Sequence, residues 1–283
     1  MGQVYLNGRF MPMEEARISP MDRGFLFGEG IYEVIPCHQS KLVGFSAHLA
    51  RLKNGLTELE IEVTLTDQEW RDIALTLAKG HSSDYLGIYL HVSRGADNRR
   101  SHGYPDNLTP TIFAFAFDIA PPNSDGKHPG FKVVTELDKR WRRCHIKSTA
   151  LLGNVMHFRQ AQRQQLNEVI LYNDRQELTE ASSSNVFVII DSLVVTPPLD
   201  SQLLPGVTRQ LLLRILQEHS DIRVEERVVR LDELCLADEV WLTSSTKELT
   251  PVIEIDGNAV GNGRPGPLWR QAQRLFNQYK YDY

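Results

Sequence analysis

The alternation of apolar and polar positions changes period several times along the chain. From Gln3 to Met11 it reads QVYL, then Asn7-Gly8, then RFM; this pair best tolerates positive φ in a two-residue turn, so a hairpin is expected. In SPMDRGFLFGEG, Gly24, Gly28 and Gly30 interrupt an apolar stretch ahead of the strand-like IYEVIPC. A Gly-x-Gly that precedes a strand instead of opening a helix speaks against dinucleotide binding. Leu49, Leu52 and Leu56 recur at helical spacing in AHLARLKNGLTEL, with Ser46 as the expected cap, and a second helix is expected over DQEWRDIALTLAKG. Two strand patterns, YLGIYLHVSRG and TIFAFAFDI, flank ADNRRSHGYPDNLTP, which is too rich in Pro, Asn, Asp and Gly for regular structure.

The clearest break in pattern is Ala120 to Gly130, APPNSDGKHPG, where prolines and glycines replace any apolar period. A domain boundary there gives a small N-terminal domain over 1–119, a linker over 120–130 and a larger C-terminal domain over 131–283. Beyond it the pattern predicts a strand (FKVVTEL), a helix (GNVMHFRQAQRQQL) and the strands EVILYN, NVFVII and LVVT. A turn at LPGVTRQ opens a helix through Leu216, and DEVWLTSS is a further buried strand. Strands outnumber helices and many follow one another directly, which points to an α+β fold.

Composition adds exclusions. Hydrophobic residues at 41% and charged residues at 24% describe an ordinary folded globular chain, with no low-complexity tract. A net charge of −5 argues against a dominant nucleic-acid surface, and the basic group Lys139, Arg140, Arg142 and Arg143 is short. Three widely spaced cysteines, Cys37, Cys144 and Cys235, suggest neither a disulfide framework nor a zinc site. No apolar run reaches the roughly 20 residues of a membrane span, and no leader pattern opens the chain. A cytoplasmic protein that binds neither membrane nor nucleic acid is expected.

Chemistry concentrates between Asp138 and Asn185. Lys147, in RRCHIKSTALL, has unusually apolar neighbours. It is either a lysine that snorkels from a strand end or one whose desolvated amine attacks an aldehyde. Glu180, in LTEASSSNVF, is either a turn or helix-start acid or the partner of a protonated ring nitrogen, and the serines after it are small donors near a pocket or merely a loop. Anion candidates are Arg51, the helix opening Gly206-Val207-Thr208, and Ser244-Ser245, because a helix N-terminus offers free N–H groups and a positive dipole end. Arg100 and His102 in RRSHGYP suit a carboxylate or a solvated loop, and Tyr32 is a core aromatic or a hydroxyl completing that carboxylate site.

Singly these signals are weak, but their order is specific. DRGFLFGEGIYEV, HLARL, RRSH, RWRRCHIKS, TEASSSNVF, LPGVTR and LTSSTKELTPV together resemble the fold type IV pyridoxal-phosphate enzymes over nearly the whole chain, most of all their D-amino acid aminotransferase branch. The resemblance implies pyridoxal 5′-phosphate as cofactor, Lys147 as Schiff-base lysine and Glu180 at the pyridine nitrogen. It implies Arg51, Val207, Thr208, Ser244 and Ser245 at the phosphate, and Tyr32, Arg100 and His102 at the substrate carboxylate. In relatives the Arg and His come from the other subunit, so a homodimer acting on small amino acids and 2-oxo acids is implied. Branched-chain L-aminotransferase and aminodeoxychorismate lyase activities are the alternatives within the family. Ala181 departs from the glycine that often follows the glutamate, which bears on pocket volume.

Overall fold

A computed structural model of the chain describes residues 2–123 and 127–283. Part of the expected linker, residues 124–126, lies outside them. The chain divides into two units, the first comprising Met1–Pro121 with Ile146–Leu151 and the second Pro122–His145 with Leu152–Tyr283. The lysine segment is therefore counted with the first unit.

In the first unit the chain runs β1 (Gln3–Leu6), β2 (Arg9–Pro12), α1 (Arg23–Phe27), β3 (Gly30–His38), β4 (Lys41–Leu42), α2 (Phe45–Glu58), α3 (Asp67–Lys79), β5 (Tyr85–Ser93) and β6 (Thr111–Asp118). The strands form one antiparallel sheet in the order β2-β1-β6-β5-β3-β4. Asn7 and Gly8 both take positive φ, 47° and 89°, and Leu6 pairs with Arg9, which closes the expected hairpin. Ser46 does not cap α2. Gly44, at φ 60°, is the N-cap and no side chain bonds the first turn, because its left-handed backbone already turns the chain two residues before Ser46. Thr66 and Glu69 cap α3 reciprocally.

Alternation on β3 sends Ile31 and Ile35 into a core with Leu49, Leu52, Trp70 and Leu77 of the two helices. Each such side chain removed from water contributes about 1.5–3 kcal/mol. The opposite face carries half-buried rings, Tyr32, Tyr89, Phe113 and Phe115 among them, in mutual contact. Ile146 joins the core, and Ser148 bridges Ile31, so the lysine segment extends the sheet at the start of β3.

The loop after β5 starts at Gly95, whose φ is +97° and whose position would put an added Cβ 1.9 Å from the Thr109 carbonyl oxygen. Both the backbone angle and the space demand glycine there. Gly95→Ala is expected to cost about 2 kcal/mol or more of stability, read as a shift in the chemical denaturation midpoint at unchanged slope.

The second unit comprises β7 (Phe131–Leu137), α4 (Leu152–Arg163), β8 (Glu168–Tyr172), β9 (Leu178–Ala181), β10 (Asn185–Ile190), β11 (Leu193–Thr196), α5 (Val207–His219), β12 (Val224–Glu226), β13 (Glu239–Ser244), β14 (Glu248–Ile255), β15 (Asn258–Ala259) and α6 (Pro267–Tyr279). Its sheet is mixed, in the order β12-β11-β10-β13-β14-β7-β8-β9, with β15 on β14. Strands β9, β10 and β13 are almost wholly buried, and burial on both faces explains the continuous apolar run of β10, VFVII. The two units together make a mixed α+β fold.

Candidate active site

Within the first unit, the buried position between Ile31 and Ile35 is filled by a carboxylate, Glu33. A charge there needs partners, and α2 supplies two on one face at i, i+3 spacing. Arg51 forks onto Glu33, Nε to Oε1 at 2.7 Å and Nη2 to Oε2 at 2.8 Å, while His48 Nδ1 meets Oε2 at 2.7 Å. Burial works against the Glu33 charge, but Arg51 first and His48 second hold the carboxyl well below the ordinary range. Burial depresses His48 despite the pull of Glu33. Sequence reasoning singled out Arg51 and missed the glutamate that fixes its plane.

On the other face of β3, Lys147 and Tyr32 meet. The Tyr32 N–H donates to the Lys147 carbonyl at 3.1 Å, and the Lys147 Nζ lies 4.2 Å from the Tyr32 ring centroid, an amine over an electron-rich face. Lys147 itself is half-buried. Tyr89 stacks on Tyr32 at 5.7 Å, and its hydroxyl bonds His91 Nδ1 at 3.0 Å; burial pushes that phenol up to about 12.

Arg100 and His102 lie apart from this pair. Both are exposed on the loop after β5, with the Arg100 guanidinium 5.2 Å from the Phe27 ring centroid and the His102 ring 5.5 Å from it, edge on.

Within the second unit, Glu180 sits on β9, so it is a buried strand residue and neither a turn nor a helix-start acid. Its Oε1 accepts from Arg140 Nη1 at 2.5 Å; Oε2 accepts from the Leu204 N–H at 3.1 Å and from Asn185 Nδ2 at 3.2 Å. Burial pushes its carboxyl above the ordinary value, with Arg140 the main opposing pull. Arg140 is in turn locked by Asp138, which accepts from Nε and Nη2 at 3.0 and 2.8 Å. In the sequence Arg140 was one member of a basic run, and nothing local separated it from Arg142 and Arg143, which are exposed.

Two residues of the serine run act as donors within the second unit. Ser182 and Ser183 both donate to buried Glu168, the latter at 2.6 Å, which ties β9 to β8. Ala181 is fully packed in the unit's core, where its methyl faces apolar neighbours.

Asn185 joins Glu180 to the start of α5. Its Nδ2 also donates to the Leu204 carbonyl at 2.8 Å, and a Cβ on Gly206 would fall 2.0 Å from its Oδ1. Gly206 is the N-cap of α5 with no side-chain bond to the first turn, where Val207 and Thr208 are buried. An uncapped helix start of this kind suits an anion. On β13, Thr243 pairs with Asn185, and Ser244 and Ser245 follow, half-buried. The Thr243 hydroxyl is buried without a hydrogen-bond partner. A buried, proton-affine carboxylate, an uncapped helix start and an orphaned hydroxyl fit a phosphorylated, protonated heterocycle.

Among the described residues no group of His, Cys, Asp or Glu is arranged to hold a metal, and no helix is long and apolar enough to cross a membrane.

These features have relatives. Amino-transferase class IV matches residues 30–255 of the chain. The chain is 37% identical over 280 residues to a D-alanine aminotransferase of Staphylococcus haemolyticus, spanning 99% of this chain and 98% of that one. It is 38% identical over 271 residues to a D-alanine aminotransferase of Bacillus licheniformis, spanning 96% and 94%. The fold is shared with the branched-chain amino acid aminotransferase of Escherichia coli, TM-score 0.91 at 23% identity over 98% of this chain and 94% of that one. Given a family match over most of the chain and relatives of this similarity over nearly their full lengths, the chain belongs to the class IV aminotransferases.

Proposed function

We propose that the protein is a pyridoxal-phosphate-dependent transaminase of D-amino acids, converting D-alanine and 2-oxoglutarate to pyruvate and D-glutamate. The observation that carries this reading is its similarity, over nearly the full chain, to proteins named D-alanine aminotransferase. The Arg-x-His pair on the loop after β5 adds a cationic fork and an N–H donor suited to an α-carboxylate.

In this reading Lys147 holds the cofactor through its amine and, once released, moves the proton at the substrate Cα. When bound, the cofactor supplies an electron sink for the carbanion that this proton transfer leaves. Glu180 shares a proton with the ring nitrogen, a task that suits a carboxyl whose proton affinity burial has raised and whose orientation Arg140 and the Leu204 N–H fix. Arg51, Val207, Thr208, Ser244 and Ser245 bind the phosphate, and the fork from Arg51 to Glu33 presets its guanidinium. Tyr32, Arg100 and His102 take the substrate carboxylate.

The same reading makes the protein a homodimer in which Arg100 and His102 serve the partner's site. Supporting it, both residues are exposed, and α4 presents Leu152, Val155 and Met156 to solvent on one face. It also places the enzyme in the cytoplasm, where its free cysteines stay reduced.

The deciding assay mixes purified protein and cofactor separately with D-alanine, L-leucine and aminodeoxychorismate, with and without 2-oxoglutarate. Turnover of D-alanine that requires the oxo acid is expected. Preference for L-leucine, or pyruvate release from aminodeoxychorismate without an acceptor, would replace the reading. Light scattering is expected to give the mass of two chains, and a monomer active at the same dilution would overturn the shared site.

A further inference from the structure

We infer that Arg23 is a positioning residue for substrate recognition, acting through the backbone carbonyls of Ser101 and His102; the inference rests on the transaminase reading. Its guanidinium is buried, only 3% of the side chain being exposed, although it stands at the start of a one-turn helix where a solvated arginine would be ordinary. From there Nη1 donates to the Ser101 carbonyl at 2.7 Å and Nη2 to the His102 carbonyl at 3.0 Å, while Nε donates to Glu29 Oε2 at 2.5 Å. One planar fork thus grips the two consecutive carbonyls that follow Arg100, inside a loop with no regular structure of its own.

The fork is itself held. Glu29 Oε1 accepts from Arg94 Nε, and Arg94 also donates to the carbonyls of Leu59 and Glu60, just beyond α2. Arg94 lies 3.5 Å from the Tyr104 ring centroid, at the far side of the same loop, and the Tyr104 hydroxyl donates to Glu60 Oε2 at 3.2 Å. The Arg23 N–H donates to the Gly95 carbonyl at 2.9 Å, so α1 and the loop's entry are pinned together. Phe27, four residues along α1, packs under both Arg100 and His102 and 4.7 Å from the Arg23 guanidinium. Arg23 therefore fixes the backbone and Phe27 the side chains of the two residues assigned to the carboxylate. Loss of the fork leaves both present but free to move, which weakens binding of every α-carboxylate substrate more than it slows the proton transfer at Lys147.

The test compares wild type, Arg23→Gln, Arg23→Lys, the Arg100→Ala/His102→Ala double variant and the triple variant with Arg23→Gln added, by steady-state kinetics on D-alanine and 2-oxoglutarate and by amide hydrogen exchange. For Arg23→Gln, KM for both substrates is expected to rise about 10-fold with kcat within about 3-fold, and exchange over residues 97–104 to quicken while β3 keeps its protection. Arg23→Lys recovers part of the KM, and Arg23→Gln adds nothing in the background lacking Arg100 and His102. An unchanged KM, a fall in kcat alone, or an undiminished effect in that background overturns the inference. If Arg23→Gln does not fold, Phe27→Leu is expected to raise KM in the same way, and an unchanged KM there overturns it equally. Wild type inactive on D-alanine would sink the function proposed above; hydrogen exchange would still decide whether Arg23 holds the loop.

Discussion

Lys147→Ala is expected to abolish transamination, by at least about 10⁴-fold, and to remove the yellow colour of lysine-held cofactor. The size follows from one amine doing two tasks, attachment and proton transfer at Cα. No second amine is placed to replace it over the Tyr32 ring among the described residues, where Nζ stands 4.2 Å from the centroid. The fold should survive, since Lys147 enters the sheet through its carbonyl and Ser148 through its bridge to Ile31, neither of which the substitution touches. A soluble Lys147→Ala protein that stays yellow and turns over D-alanine would sink the central proposal. Absorbance, circular dichroism and the transamination assay on the same sample read all three expectations.

Glu180→Gln should lower kcat on the order of 100-fold while cofactor remains bound, because a preorganised charge is lost and the shape is kept. The structure adds a second cost. Glu180 accepts on both oxygens, from Arg140 on one and from Leu204 and Asn185 on the other. An amide has one oxygen, so its NH₂ must face either the guanidinium or the Leu204 N–H, donor against donor, at a cost of about 1–3 kcal/mol. A lower melting temperature is thus expected together with the slower turnover. Activity equal to wild type would remove Glu180 from the mechanism, and loss of cofactor instead of turnover would make it an anchor alone.

Legibility in the sequence followed the range of the interaction. The hairpin at Asn7-Gly8 and the capped start of α3 depend on residues within a few positions of each other, and a linear reading reaches them. The start of α2 failed for the same reason in reverse, since Ser46 is a good local cap and only the backbone at Gly44 shows that the helix has already begun. Glu33 was within reach: it occupies an inward position in IYEVI, and His48 and Arg51 stand three apart on the facing helix. Connecting them required knowing that β3 packs on α2. Arg140 has Asp138 two residues back, but its role comes from Glu180 forty residues on, which a linear reading does not reach. Helix α6 carries Leu268, Trp269, Ala272 and Phe276 at helical spacing, so its signal too is local. Strand β14 hides behind Pro251, a residue that argues against a central strand and is nonetheless accommodated there.

The lysine segment gives this chain an unusual kind of indivisibility. Residues Ile146–Leu151 are counted with the first unit, yet the polypeptide enters them from Pro122–His145 and leaves them into Leu152–Tyr283. Cutting the gene after Pro121 would therefore not liberate a whole module; it would strip the Tyr32 N–H of the Lys147 carbonyl and the Gly30 carbonyl of the Thr149 N–H. Recombination at the proline-rich stretch separates the reactive amine from the strand that seats it. The first unit is complete only in a chain that continues through Leu151, so its edge in space and its end in sequence do not coincide.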